Sequence, residues 1–335
     1  MGSVELTSAI NIHPLLAFLA ENGEPVQPLL RRAGLPGNCL DDPKKMLPTA
    51  GLWHFRELAA IRTGLPDLVL TVMAPLELPE LGALGRALLR APTLLGMVRD
   101  FRQLSRAESS TATFDLVPLK SRDAFFSVRL SMRNQPGEWL AELYILMWML
   151  KIVWCVEPTW RPAEIWFTEA ATPDRLRVVE SMTARPRFNR PYTGFPIPAR
   201  ILALPPVSRK SSRRLPDSDE AVLLSTSPSD SVAGAIKQLI RAYADDRWLT
   251  LAQAGEVVGM NSRTLQRQLS AEGETFSEIV EATRAELAGN LLEGTDASFS
   301  EIAGRLGYSN LSNFNRAFRR WSAVSPREFR ARRRD

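Results

Sequence analysis

Histidine and cysteine are scarce in this chain: His13, His54, Cys39 and Cys155 are the full complement in 335 residues. The two cysteines lie far apart and form no CxxC pair, so a zinc site built from cysteine is excluded. Two histidines leave little for a histidine-based catalytic or metal site, and no cofactor is expected. The cysteines read as reduced thiols of an intracellular protein. Charge of one sign is also lacking. The 42 Lys and Arg stand against 37 Asp and Glu, a net charge of +5, so any contact with nucleic acid must come from local clusters. No apolar run is long enough to span a bilayer. AELYILMWMLKIVW (Ala141–Trp154) comes nearest, but it is short and carries Glu142 and Lys151. It reads as a helix buried in a core. MGSVELTSAI has no basic stretch, and Leu6 stands where a myristoylation motif needs Ser or Thr. Neither a secretory signal nor a lipid anchor is expected, and the expected compartment is the cytoplasm.

What is present falls into two parts. The first mixes helical and strand periods. Helical patterns cover PLLAFLAENG, AGLWHFRELAAIRTG, LGALGRALLRAPTLLGMVRDFRQL and the Ala141 segment; strand-like runs are TATFDLV, DAFFSVRLSM, AEIWFTE and RILALP. This predicts an α+β domain over residues 1–205. PPVSRKSSRRLPDSDE and LSTSPSDS are rich in Pro, Ser and charge, and mark a linker over 206–230. From Val232 the pattern is helical to the end, giving an all-α domain over 231–335.

That domain contains a repeat. LAQAGEVVGMNSRTLQRQL (Leu251–Leu269) aligns with FSEIAGRLGYSNLSNFNRAF (Phe299–Phe318). Leu251 matches Phe299, Gly255 matches Ala303 and Gly259 matches Gly307; beyond the turn, Leu265 matches Phe314, Arg267 matches Arg316 and Leu269 matches Phe318. Each copy predicts a short helix, a glycine turn and a second helix. The small residue admits a close helix crossing, and the glycine takes the left-handed conformation that ends a helix. Asn261, and Ser309 or Asn310, are candidate caps for the second helices. Thr250 with Gln253, Thr275 with Glu278, Ser298 with Glu301, and Ser325 with Glu328 fit the capping box. In the second copy Leu311, Phe314 and Phe318 predict the buried face. FSEIVEATRAELAGNLLEG (Phe276–Gly294) predicts one long helix between the copies, with its acidic residues turned away from the basic reading faces. This is a paired helix-turn-helix, whose second helices enter the major groove of DNA. Heads about 34 Å apart would read successive turns of one duplex face.

From Val232 to Arg332 the sequence resembles the AraC family of bacterial transcription regulators. The resemblance rests on RTLQRQL, the R-x-x-x-A-x-x-L-L pattern from Arg284 to Leu292, EIAGRLGYSNLSNFNRAFRRW, and SPREFR. One departure is Ala323, where the family usually has Gly. The resemblance implies base-facing positions at Arg263, Gln266 and Arg267, and at Ser312, Asn313 and Arg316. Arg can pair with guanine O6/N7, and Asn or Gln with adenine N6/N7. Thr264, Asn315, Arg319 and Arg320 are assigned to phosphate, which positions without specifying. Arg284 is expected to make structural hydrogen bonds.

LLRRAGLP, LDDPKKMLPTAGLWHFRELAAIRTGLPDL and RPRFNRPYTGFPIPARIL are similar to the sensor half of the arabinose-binding-like subgroup. This implies a pocket for a small-molecule effector of unspecified identity, a homodimer, and RNA polymerase as a further partner. No pocket residue can be named from the sequence. Trp139, Trp148, Trp154, Trp160 and Trp166 could line an aromatic cavity, but dense aromatics are usually core. Arg185, Arg187 and Arg190 read as a solvated basic loop. The glycines of GALGRALLRAPTLLG lack the strand-turn-helix setting of a dinucleotide site. An effector-independent DNA binder is the alternative. An alkylation-repair enzyme fused to a DNA reader is a further one, but it needs an activated cysteine that neither Cys39 nor Cys155 supplies in sequence.

Overall fold

The computed structural model describes residues 4–121, 123–183, 185–207, 223 and 227–332. Most of the expected linker, and the last residues of the basic tail, lie outside these. The chain divides into two compact units, one running from Glu5 to Pro228 apart from Pro36–Cys39, the other made of Ser229 onward together with Pro36–Cys39 and the residues before Glu5.

In the N-terminal unit, Leu6–Ser8 (β1) pairs antiparallel with Met46–Pro48 (β2). Helices His13–Glu21 (α1) and Val26–Arg32 (α2) lie between them in sequence. Thr49–Thr63 (α3), Leu68–Met73 (α4), Ala83–Leu88 (α5) and Leu94–Leu104 (α6) follow. A five-stranded sheet is built from Ala112–Pro118 (β3), Ala124–Leu130 (β4), Ile165–Trp166 (β5), Pro186–Arg187 (β6) and Thr193–Ile197 (β7), in the order β3-β4-β7-β5-β6. β5 and β6 run parallel; the other pairings are antiparallel. Glu138–Trp154 (α7) is buried along almost its whole length, as the all-round apolar pattern predicts. Pro173–Val179 (α8) and Ala199–Leu202 (α9) complete the unit.

Glu142 and Lys151, deep inside α7, are accommodated by polar partners. Glu142 accepts hydrogen bonds from the Thr168 N–H at 2.7 Å and the Thr168 hydroxyl at 3.0 Å, and a third from the Thr193 hydroxyl. Burial raises its pKa, against the pull of these donors. Lys151 donates to the carbonyls of Ala74 and Leu76. No helix among the described residues is long and apolar enough to cross a membrane.

Two expectations are corrected. RILALP is not a strand: Ala199–Leu202 is a helical turn, and the strand is the preceding Thr193–Ile197. Pro198 ends the strand, and Asp123 accepts the freed Ala199 N–H at 3.1 Å. LGALGRALLRAPTLLGMVRDFRQL is two helices, because Thr93 starts a new one and accepts the Gly96 N–H. The tryptophans serve as core, the reading favoured for dense aromatics. Trp166 stacks on Tyr192, Trp139 and Trp160 pack against the core, and Trp154 donates to the Trp160 carbonyl. Arg185, Arg187 and Arg190 are exposed, as expected.

Cys155 lies in an environment whose burial pushes its thiol up to about 11, the opposite of nucleophilic activation.

Candidate nucleic-acid interface

All described elements of the second unit from Val232 are helical: Val232–Tyr243 (α10), Leu251–Val257 (α11), Ser262–Ala271 (α12), Phe276–Gly294 (α13), Phe299–Arg305 (α14), Leu311–Ser322 (α15) and Pro326–Ala331 (α16). All four predicted capping boxes form, at Thr250, Thr275, Ser298 and Ser325. Each places a hydroxyl on an otherwise unpaired helix N–H, so the helix starts are set by local chemistry.

In the first repeat, Gly259 ends α11 with φ +70°. A Cβ at Gly255 would meet the Met260 carbonyl oxygen at 2.6 Å, so this position needs glycine for the turn to pass close by. Asn261 caps α12, its Oδ1 accepting from the Thr264 N–H at 2.8 Å. The helix buries Leu265, Gln268 and Leu269 and leaves Arg263, Gln266 and Arg267 exposed, with Thr264 half-buried.

The second repeat follows the same plan. Gly307 has φ +76°, and Asn310, not Ser309, caps α15 through the Asn313 N–H at 2.8 Å. Phe314, Ala317 and Phe318 are buried. Ser312, Asn313, Arg316, Arg319 and Arg320 are exposed, and Asn315 is half-buried. Leu311 departs from expectation, being 36% exposed. It is the first residue of the helix, one turn ahead of Phe314, on the same stripe but before the core begins. Both second helices therefore bury their apolar face and turn guanidinium, amide and hydroxyl groups outward. Among the described residues, Arg263, Arg267 and Arg316 carry no ion pair, so their guanidiniums are available to a ligand.

The acidic residues of α13 do not all turn away. Glu281 pairs with Arg320 at 2.7 Å, and Glu286 pairs with Lys237 at 3.0 Å and with Arg241. Arg320 is thus shared between a protein carboxylate and its expected phosphate. Arg284 is structural: it shares a hydrogen bond with the Tyr308 side chain and makes cation–π contacts besides. Its guanidinium lies over Trp248 and Tyr308, while its Nε has no hydrogen-bond partner. Nothing in the spacing of Trp248 marks it as part of this group; the three side chains meet only in the fold.

Two family profiles match the chain. One, described as the arabinose-binding domain of AraC transcription regulator, N-terminal, covers residues 23–206, and the other, a helix-turn-helix domain, covers 255–332. The ornithine utilization regulator of Pseudomonas aeruginosa is 24% identical over 331 residues, spanning 98% of this chain and 97% of its own. The HTH-type transcriptional regulator VirS of Mycobacterium tuberculosis is 25% identical over 339 residues, spanning 97% and 96%. Among solved structures, the transcriptional regulator CdpR of Pseudomonas aeruginosa covers 96% of this chain and 98% of its own, at 18% identity and a TM-score of 0.42.

Proposed function

Because the chain belongs to the AraC family of transcription regulators, we propose that it reads promoter DNA with α12 and α15 under the control of a small effector held by the N-terminal unit. The DNA reading rests on one observation: two capped helices, alike in build, each expose a polar and cationic face. Arg263, Gln266, Arg267, Ser312, Asn313 and Arg316 face bases; Thr264, Asn315, Arg319 and Arg320 face phosphate. The working division is a sensor over 1–205, a linker over 206–230 and a reader over 231–335, in a cytoplasmic homodimer that meets RNA polymerase at the promoter. Effector binding shifts the population toward one DNA-binding geometry, and it does so only if the effector binds the two geometries with different affinity. The family is one of regulators, and no reaction is assigned to the chain.

A mobility-shift titration on the chain's own promoter at rising salt tests the DNA reading. Neutralising several phosphates releases counterions, so affinity must fall steeply with salt. An absent or salt-independent shift overturns it.

A further inference from the structure

Building on the effector reading, we propose that the N-terminal unit binds a small organic carboxylate in the cavity bordered by α3, α6 and α7, with the carboxylate on Arg56.

The cavity holds about 50 Å³ and lies wholly within the N-terminal unit. Its surface is mostly apolar, with the rings of Trp53, Phe101, Phe114 and Trp148 contributing. Into this apolar space the fold places Arg56, only 3% exposed. The guanidinium donates to the Asn11 carbonyl at 2.9 Å and lies 4.3 Å from the centre of the Tyr144 ring. It has no carboxylate partner among the described residues. A buried cation without an anion is a costly arrangement, and a fork of N–H donors suits a carboxylate.

The surrounding groups sharpen the choice. Glu108, 6% exposed, lines the same cavity and makes no ion pair with Arg56. Burial raises its pKa to about 8, against the pull of Asn11, so near neutral pH it carries its proton. It can then donate a hydrogen bond to an incoming anion and does not repel it. The Ser105 hydroxyl also lines the cavity, is buried, and has no hydrogen-bond partner. By contrast the nearby hydroxyls of Thr7, Thr49, Ser109 and Thr111 bond to one another at 2.8–3.0 Å. They form a satisfied floor. Arg56, Glu108 and Ser105 are left to meet a ligand.

Size narrows the class. One water needs about 10–15 Å³ of such space, so the cavity takes the equivalent of a few waters, which favours an acid of a few carbons.

The test is calorimetric titration of the full chain with acetate, propionate and butyrate, and with propionamide and propylamine as controls. At least one acid is expected to bind saturably while amide and amine do not. Arg56→Gln should weaken that binding about tenfold or more, as expected when a charged hydrogen bond is lost. Because Arg56→Gln can harm folding, Ser105→Val is the second variant: it narrows the cavity, keeps Arg56 and Glu108, and should abolish binding with the melting temperature retained. No saturable binding by any of the acids, equal binding of the amide, or unchanged binding by folded Ser105→Val would each overturn the site. A mobility shift with the bound acid separates the two readings. Carboxylate binding that leaves DNA affinity unchanged keeps the site and removes the effector role. A response of DNA binding to some other compound, without carboxylate binding, keeps effector control and removes the site.

Discussion

The Arg284 guanidinium lies 4.6 Å from the centre of the Trp248 ring and 5.2 Å from that of Tyr308. It ties the middle of α13 to the segment before the first helix-turn-helix and to the turn of the second. Trp248 is held in turn by donating to the Arg305 carbonyl at 3.0 Å. Arg284→Ala removes the stacking and is expected to destabilise the protein by about 1–3 kcal/mol. Arg284→Lys should recover part of this, since it keeps the charge but loses the planar stack. Urea unfolding measures both, and an alanine variant as stable as the wild type would remove the structural role.

Ala323 sits in the left-handed region with φ +60° at the C-terminal end of α15. A residue with a Cβ is strained there by about 1–2 kcal/mol. Glycine relieves the strain but loosens the unfolded chain. Ala323→Gly should therefore raise stability by about 0.5–1 kcal/mol. Gly307→Ala should act oppositely, because it adds the same strain and puts a Cβ 2.8 Å from Trp248 Cδ1. Melting curves that move the other way for either variant would contradict this account.

Arg267 and Arg316 occupy equivalent positions on α12 and α15, exposed and without ion pairs. Replacing either with alanine should cost about 1–3 kcal/mol of specific binding, with the melting temperature unchanged. Discrimination between operator and mutated sites should weaken as well. Normal operator binding by both variants would mean that these are not the reading helices.

Glu281 holds Arg320 at 2.7 Å, with both side chains about half exposed. Such a pair contributes below about 1 kcal/mol to stability. Glu281→Gln should leave folding almost untouched, free the guanidinium for phosphate and remove a negative charge near the duplex. The expected readout is tighter binding to any DNA sequence and a steeper dependence on salt. Weaker binding would place Arg320 outside the interface.

How much of this was legible in the sequence depended on how local the physics is. Thr250, Thr275, Ser298 and Ser325 bond to residues three positions away, so the capping boxes could be read before any fold was known. Gly259 and Gly307 were legible because a left-handed turn selects glycine. The face of α15 followed from helical period, except at Leu311, where the helix begins before the core does. RILALP failed because strand and helical turn differ little over a few apolar residues; Pro198 and the distant Asp123 decide it. Long-range partners left no local trace. Arg284 with Trp248, Glu281 with Arg320, and Arg56 with Glu108 around one cavity are made by the fold.

Glu108 makes that last arrangement measurable without a ligand. Its pKa rises from 4.5 to about 8, chiefly through burial, with Asn11 pulling the other way. Between those values the native chain holds a proton that the unfolded chain has lost, so stability falls as pH rises through this window. Below 4.5 both states are protonated and above about 8 both are ionised, so Glu108 adds no slope there. The slope can reach about 1.4 kcal/mol per pH unit. Glu108→Gln should flatten the fall of stability between about pH 5 and 8 relative to wild type. Glu142, also raised by burial, would keep its own share of the slope in the variant. Arg56, lowered by burial to about 10, acts only at higher pH, where its contribution has the opposite sign. Denaturant unfolding of both proteins across this range isolates the carboxyl. Parallel curves would mean that Glu108 meets water freely and does not carry a proton into the cavity at neutral pH.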